Sequence, residues 1–155
     1  VTDDAAPLSA HPAFLLGQLG FHTAYRFADL LAPLGIKPRH FGMLKLLSQH
    51  DGRTQQELGE ALDIHRNVMV SLVDDLESRG LVERRRHPTD RRAHALYLLP
   101  AAHALLAQAE SAVDTLDADL LAALTPEDRA TFLDLLQRTA TANGLRPGIH
   151  PGLTR

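Results

Sequence analysis

Cysteine is absent from the 155 residues. Disulfide frameworks, thiolate metal sites, cysteine nucleophiles and thiol redox sensing are excluded with it. Long hydrophobic runs are missing as well. No stretch of about 18 consecutive apolar residues occurs and no basic start leads into an apolar run, so neither a membrane span nor a signal peptide is read. The expected compartment is the cytoplasm. An excess of positive charge is also lacking: the formal charge is −3, a poor average for a nucleic-acid binder. Catalytic signatures are equally scarce. No Gly-x-Ser-x-Gly elbow, phosphate-binding loop or Gly-rich dinucleotide fingerprint appears, so neither an enzyme nor a cofactor is expected.

What is present suits one soluble domain, or one domain with a dimerisation arm. Hydrophobic residues make up 45% and charged residues 23%, enough apolar material for a core. Helical periodicity runs from His11 to Leu31, with Phe14, Phe21, Tyr25 and Ala28 on one face and Leu15, Leu19, His22 and Arg26 on the next. Pro33 and Gly35 end it. A second helix opens at Pro38 and stops at Asp51-Gly52, and Thr54 with Glu57 forms a capping box for a short third. A fourth, from about His65 to Arg79, buries Met69, Leu72, Val73 and Leu76 before Gly80.

The period then changes. Residues 81–86 and 93–98 are strand-like and flank a charged turn, which predicts a β-hairpin. From Pro100 to about Leu124, Ala102, Leu106, Ala109, Val113, Leu116 and Leu120 form a seam that should meet another helix. Thr125-Pro126 caps a last helix ending at Asn143-Gly144. The fold class is therefore mainly α with a small hairpin wing: a winged helix-turn-helix over residues 36–99, between helical dimerisation segments at 11–35 and 100–143. Residues 1–10 and 144–155 are expected to be flexible tails.

A winged helix-turn-helix holds one helix against the major groove while its hairpin reaches along the backbone. The buried set of the fourth helix leaves Arg66, Asn67, Val70 and Ser71 outward. Arg66 can fork onto guanine, Asn67 onto adenine, and Val70 offers methyl groups to thymine. His65 either caps the helix or touches DNA. Between Arg79 and Arg92 six arginines face only Glu83 and Asp90, a local charge of +4, whereas seven carboxylates between Ala101 and Leu136 face only Arg129, giving −6. One region attracts phosphate and the other repels it. Arg84, Arg86, Asp90, Arg91 and Arg92 are the wing candidates, and strand alternation turns Arg85 away from Arg84 and Arg86.

Thr54-Gln55-Gln56-Glu57-Leu58, the run Leu72-Val73-Asp74-Asp75-Leu76-Glu77-Ser78-Arg79-Gly80-Leu81-Val82-Glu83-Arg84 and the downstream Asp90-Arg91-Arg92 resemble the MarR family of bacterial transcriptional regulators. The resemblance implies a homodimer with intertwined terminal helices, whose paired wings straddle a pseudo-palindromic duplex operator. It also implies that Asp90 orients Arg92, and that Arg92 or Arg91 enters the minor groove, where a narrow A·T-rich tract concentrates negative potential. One departure is clear. Where the family has Leu-Thr-x-x-Gly after the wing, this chain has Leu98-Leu99-Pro100-Ala101-Ala102.

The family often senses small anionic aromatics, metals or oxidants. For an aromatic acid the candidate lining is His22, Arg26 and His40 with Tyr25 and Phe41 as wall. The plainer alternative pairs Arg26 with an acid, leaves the histidines half-buried and puts Phe41 in the core. Nine histidines include no helical i, i+4 pair and no His-Glu-x-x-His, so no metal site is assigned. The expected function is a repressor released by a small ligand. A metal- or pH-responsive regulator of the same fold, and a winged helix that contacts protein instead of DNA, stay open.

Overall fold

The computed structural model describes residues 7–150. A single 3-10 turn, Leu8–Ala10, precedes α1, Pro12–Leu31, and Pro12 sits where a missing N–H costs nothing. Then follow α2 (Pro38–Gln49), β1 (Arg53–Thr54), α3 (Gln55–Leu62), α4 (Arg66–Ser78), β2 (Val82–Arg86), β3 (His94–Leu98), α5 (Pro100–Leu120) and α6 (Pro126–Ala142). The strands form one antiparallel sheet in the order β1-β3-β2, with Arg84 opposite Leu96 and Arg86 opposite His94.

The core belongs mainly to the winged helix-turn-helix. Met43, Leu44 and Leu47 of α2, Leu58 and Leu62 of α3, Met69, Leu72, Val73 and Leu76 of α4, and Val82, Leu96 and Leu98 of the sheet pack together. Ala102 and Leu106 of α5 join the same cluster. Burying a side chain of this size contributes roughly 1.5–3 kcal/mol, so this set dominates the stability of the module. A smaller cluster of Leu31, Ile36 and Ala109, with Phe27, Leu34, Phe41 and Leu105 against it, ties α1 and α5 to α2.

Local chemistry sets each boundary. Thr54 Oγ1 accepts from the Glu57 amide (3.2 Å) while the Glu57 carboxylate accepts from the Thr54 amide (2.7 Å), the reciprocal box expected from the sequence. Gly80, at φ 67°, supplies the left-handed turn that sends the chain from α4 into the wing. The junction with the unusual sequence is held without a side-chain cap: Pro100 begins α5, and the Leu99 amide donates to the Leu81 carbonyl (2.9 Å).

Three features differ from the sequence expectation. β1 adds a third strand, pairing Arg53 with Leu96 and Thr54 with Ala95. Two residues are too few to show alternation. α5 ends at Leu120 and not near Leu124, while its seam does meet another helix as expected, α1 of the same chain. Residues 145–150, expected as part of a flexible tail, fold back on the module. Arg146 lies 3.7 Å from Asp63, and Ile149 packs against the core. Residues 1–6 and 151–155 of the expected tails lie outside the described residues.

The terminal helices bury little. α6 has no buried residue and α1 has only Leu31. Phe21 is 66% exposed, Tyr25 61% and Leu133 56%. Large apolar side chains left this exposed on helices are of the kind that marks an interface.

Candidate nucleic-acid interface

α4 presents its outer face because its inner one is fixed by the core. Met69, Leu72, Val73 and Leu76 are buried, and Arg66, Asn67, Val70 and Ser71 are all exposed, as the spacing predicts. His65 is the N-cap. Its Nδ1 accepts from the Asn67 amide (3.3 Å), so the residue anchors the start of the helix beside these exposed side chains. Val68 is exposed too and lines a cleft with Asn67 and Ser71. Its place off the buried spacing was the available signal, obscured by its neighbour Met69.

The wing is shaped by its own polar side chains. His87 Nδ1 accepts from the Asp90 amide (3.1 Å), and Asp90 Oδ1 accepts from the Arg92 backbone amide (2.9 Å). The link between Asp90 and Arg92 therefore exists, but it fixes the turn and leaves the guanidinium free to reach outward. Arg86, Arg91 and Arg92 are exposed and have no ion pair among the described residues. Arg84 differs from its neighbours. Its guanidinium lies between the Asp74 and Glu77 carboxylates of α4, its amide donates to Glu77 (3.2 Å), and its side chain is only 25% exposed. Expected at the DNA, Arg84 is instead engaged as a strut between wing and helix, because two carboxylates on one helix face draw in the nearest strand cation. Arg85 points the other way, paired with Glu83 and lying 4.6 Å over the Tyr97 ring.

The five residues expected to line one pocket are not brought together. His22 and Tyr25 lie on a shallow groove along α1 with Phe14 and Phe21, where Tyr25 contacts the Phe21 ring at 4.6 Å. Arg26 faces Asp119 at 3.9 Å. His40 is buried on the other side of α2, its Nδ1 accepting from the Lys37 amide (3.0 Å) and its Nε2 lying 3.2 Å from Asp75 Oδ2. Burial holds the His40 pKa below its ordinary 6.5 against the opposing pull of Asp75. The neutral ring thus joins α2 to α4.

Phe41 alone of the five lines an apolar cleft of ≈ 640 Å³. Phe27 meets it edge-to-face at 5.5 Å, Leu46 and Lys45 extend the wall, and Ile149 of the returning tail closes it. Lys45 is paired there with Glu110 of α5. These groups come from four separate segments, so no local spacing could announce them. Among the described residues no group of three His, Asp or Glu side chains is placed to hold a metal ion, and no helix is long and apolar enough to cross a membrane.

This geometry has counterparts in known proteins. Residues 34–93 match the model of the MarR family. The chain is 36% identical over 132 residues to a putative transcriptional regulatory protein for the hcr operon of Thauera aromatica, covering 80% of each chain. It is similar to the transcriptional repressor CouR bound to a 23-mer DNA duplex, with 34% identity, a TM-score of 0.76, and coverage of 87% of this chain and 96% of that one. It is also similar to CouR from Rhodococcus jostii RHA1 bound to p-coumaroyl-CoA, at 27% identity and a TM-score of 0.71, covering 88% and 96%. An exposed helix with a basic hairpin beside it, on a backbone that follows a DNA-bound repressor nearly end to end, places this chain in the MarR family of DNA-binding transcriptional regulators.

Proposed function

We propose that this regulator acts as a homodimeric repressor that reads a pseudo-palindromic operator and is released by a small apolar ligand with an acidic group. The observation that carries the reading is the split among cations. Arg66, Arg86, Arg91 and Arg92 are exposed and unpaired among the described residues, around α4 and the wing, while Arg84 and Arg85 are engaged within the chain. Arg66 and Asn67 read base edges, Val68 and Val70 offer methyl contacts to thymine, and Ser71 reaches the adjoining bases or phosphates. Arg86, Arg91 and Arg92 follow the backbone, with a wing-tip arginine entering the minor groove. Asp90 and His65 position these contacts by fixing the wing turn and the helix start.

The uncovered faces of α1 and α6 support the homodimer. Two copies closing over Phe14, Phe21, Tyr25 and Leu133 would set two α4 helices at the spacing of one duplex turn, about 34–36 Å. The apolar cleft under Ile149 supports ligand release, since ≈ 640 Å³ lies within the range that takes an aromatic body. CouR in complex with p-coumaroyl-CoA supports an aromatic acid or its thioester as the ligand class. Filling a cleft walled by α1, α2 and the returning segment at 148–150 need only favour a differently spaced dimer to weaken operator binding.

Selection of duplexes from a random pool, followed by release screening with aromatic acids and their thioesters, tests the proposal. A palindromic consensus and ligand-driven release are expected. Binding of random and selected duplexes with equal affinity at low salt would overturn it.

A further inference from the structure

The wing flanks only one side of α4. On the other side lies a cleft of ≈ 550 Å³, whose lining includes Lys37, Arg39, Asn67, Ser71, Asp75 and Arg79. It therefore joins the start of α2 to residues of the DNA-reading face. We propose that Lys37 and Arg39 form a second phosphate-gripping ridge, holding the DNA backbone across the major groove from the backbone that the wing follows. The ridge rests on the DNA-reading role of α4 and adds two contacts to it.

Three observations support the placement. First, Lys37 and Arg39 are exposed and have no ion pair among the described residues. They flank Pro38, the first residue of α2, whose ring fixes the backbone between them. Second, the acid in this cleft is already engaged. Asp75 lies 3.2 Å from His40 Nε2 and 3.3 Å from Arg79 Nε, so it does not draw Lys37 or Arg39 away from an incoming phosphate. Third, the same groups fasten the start of α2 to α4. Arg79 Nη1 donates to the Gly35 carbonyl at 2.7 Å, and the Lys37 amide donates to the His40 ring that reaches Asp75. A cation on a fixed backbone loses less freedom on meeting a phosphate than one on a loose arm.

Helix geometry places the ridge opposite the wing. At 3.6 residues per turn, Asp75 and Glu77 project from nearly opposite sides of α4. Arg84 of the wing holds Glu77, and His40 of α2 lies against Asp75. A helix seated in a groove about 12 Å wide has a phosphate backbone on each side. The wing cations serve one side, and Lys37 and Arg39 meet the other.

The test uses the full chain and a duplex that the wild type selects from a random pool. Affinity is followed against salt concentration for the wild type, Lys37→Gln/Arg39→Gln and Arg91→Glu/Arg92→Glu. Losing two phosphate contacts should lower the slope of log K against log salt by about 1.8 per half-site and weaken binding more than about tenfold at 0.1 M salt. The base preference recovered in a repeat selection and the melting temperature should not change. Unaltered slope and affinity in Lys37→Gln/Arg39→Gln, beside lost binding in Arg91→Glu/Arg92→Glu, would overturn the ridge and leave the wing reading standing. A changed base preference would also overturn it, by assigning the pair to base edges. If the wild type selects no preferred duplex, the DNA-reading role and the ridge fall together.

Discussion

Two arginines eight positions apart, Arg84 and Arg92, separate structural from ligand-directed charge. Arg84 sits between Asp74 and Glu77, whereas only the backbone amide of Arg92 is bound. Arg84→Ala should therefore cost about 1 kcal/mol of stability, the scale of a charged hydrogen-bonded pair that is partly open to solvent. Arg92→Ala should leave thermal unfolding unchanged and weaken operator binding. Melting curves and a binding titration on the same two variants check both outcomes. Sequence spacing could not distinguish the two residues, because Arg84 meets partners seven and ten positions away across a helix–strand junction.

His40 carries the pH dependence expected at this scale. Its folded-state pKa is lowered, with burial as the main cause. Between the folded and unfolded values the unfolded chain binds more protons, so stability rises with pH there. The contribution is fully present above about 6.5, the unfolded value, and is lost as pH falls through that value toward the folded one. Chemical denaturation at pH 7.5 and 5.5 should show a smaller pH penalty in His40→Gln than in the wild type. An equal penalty in both would remove His40 as a source of the pH effect.

At the scale of elements, sequence signals worked where one segment carries both the pattern and its stop. The Thr54–Glu57 box, the four buried positions of α4 and the glycine after it were all legible, and each is present in the fold. Thr54→Ala should destabilise the chain by about 1 kcal/mol, the usual cost of losing a helix N-cap, as read by denaturant unfolding. The Thr54 amide also holds the Glu57 carboxyl below its ordinary range, so that contribution is present at neutral pH and fades as pH falls through the carboxylate range. Elements defined by distant partners were not legible. β1 exists because β3 offers it an edge, and residues 145–150 fold back because Asp63 and the core receive Arg146 and Ile149. The five-residue pocket failed for the same reason. Helical periodicity set Tyr25 on one face of α1 and His22 with Arg26 on the next, but it could not show that these faces turn away from the cleft that Phe41 lines.

For the whole molecule, the charge of −3 conceals a division of labour. Acidic side chains concentrate on α5 and α6, away from the wing, and several arginines of the basic segment are neutralised within the chain. What remains for DNA is a set of unpaired cations on both flanks of α4. The exposed apolar faces of α1 and α6 complete the plan. Under the proposed homodimer, Phe21→Glu with Leu133→Glu should convert the dimer to a monomer in sedimentation and weaken binding to a full operator by about 10²-fold or more, since the second half-site no longer binds at high effective concentration. A half-site duplex should show little change.

The most direct measurement is operator binding by Arg91→Glu/Arg92→Glu, alongside its sedimentation and melting. Reversing two exposed wing-tip charges should abolish specific binding while the assembly state and stability stay those of the wild type. Undiminished affinity for the selected duplex would contradict the assignment of α4 and the wing as the DNA-reading surface.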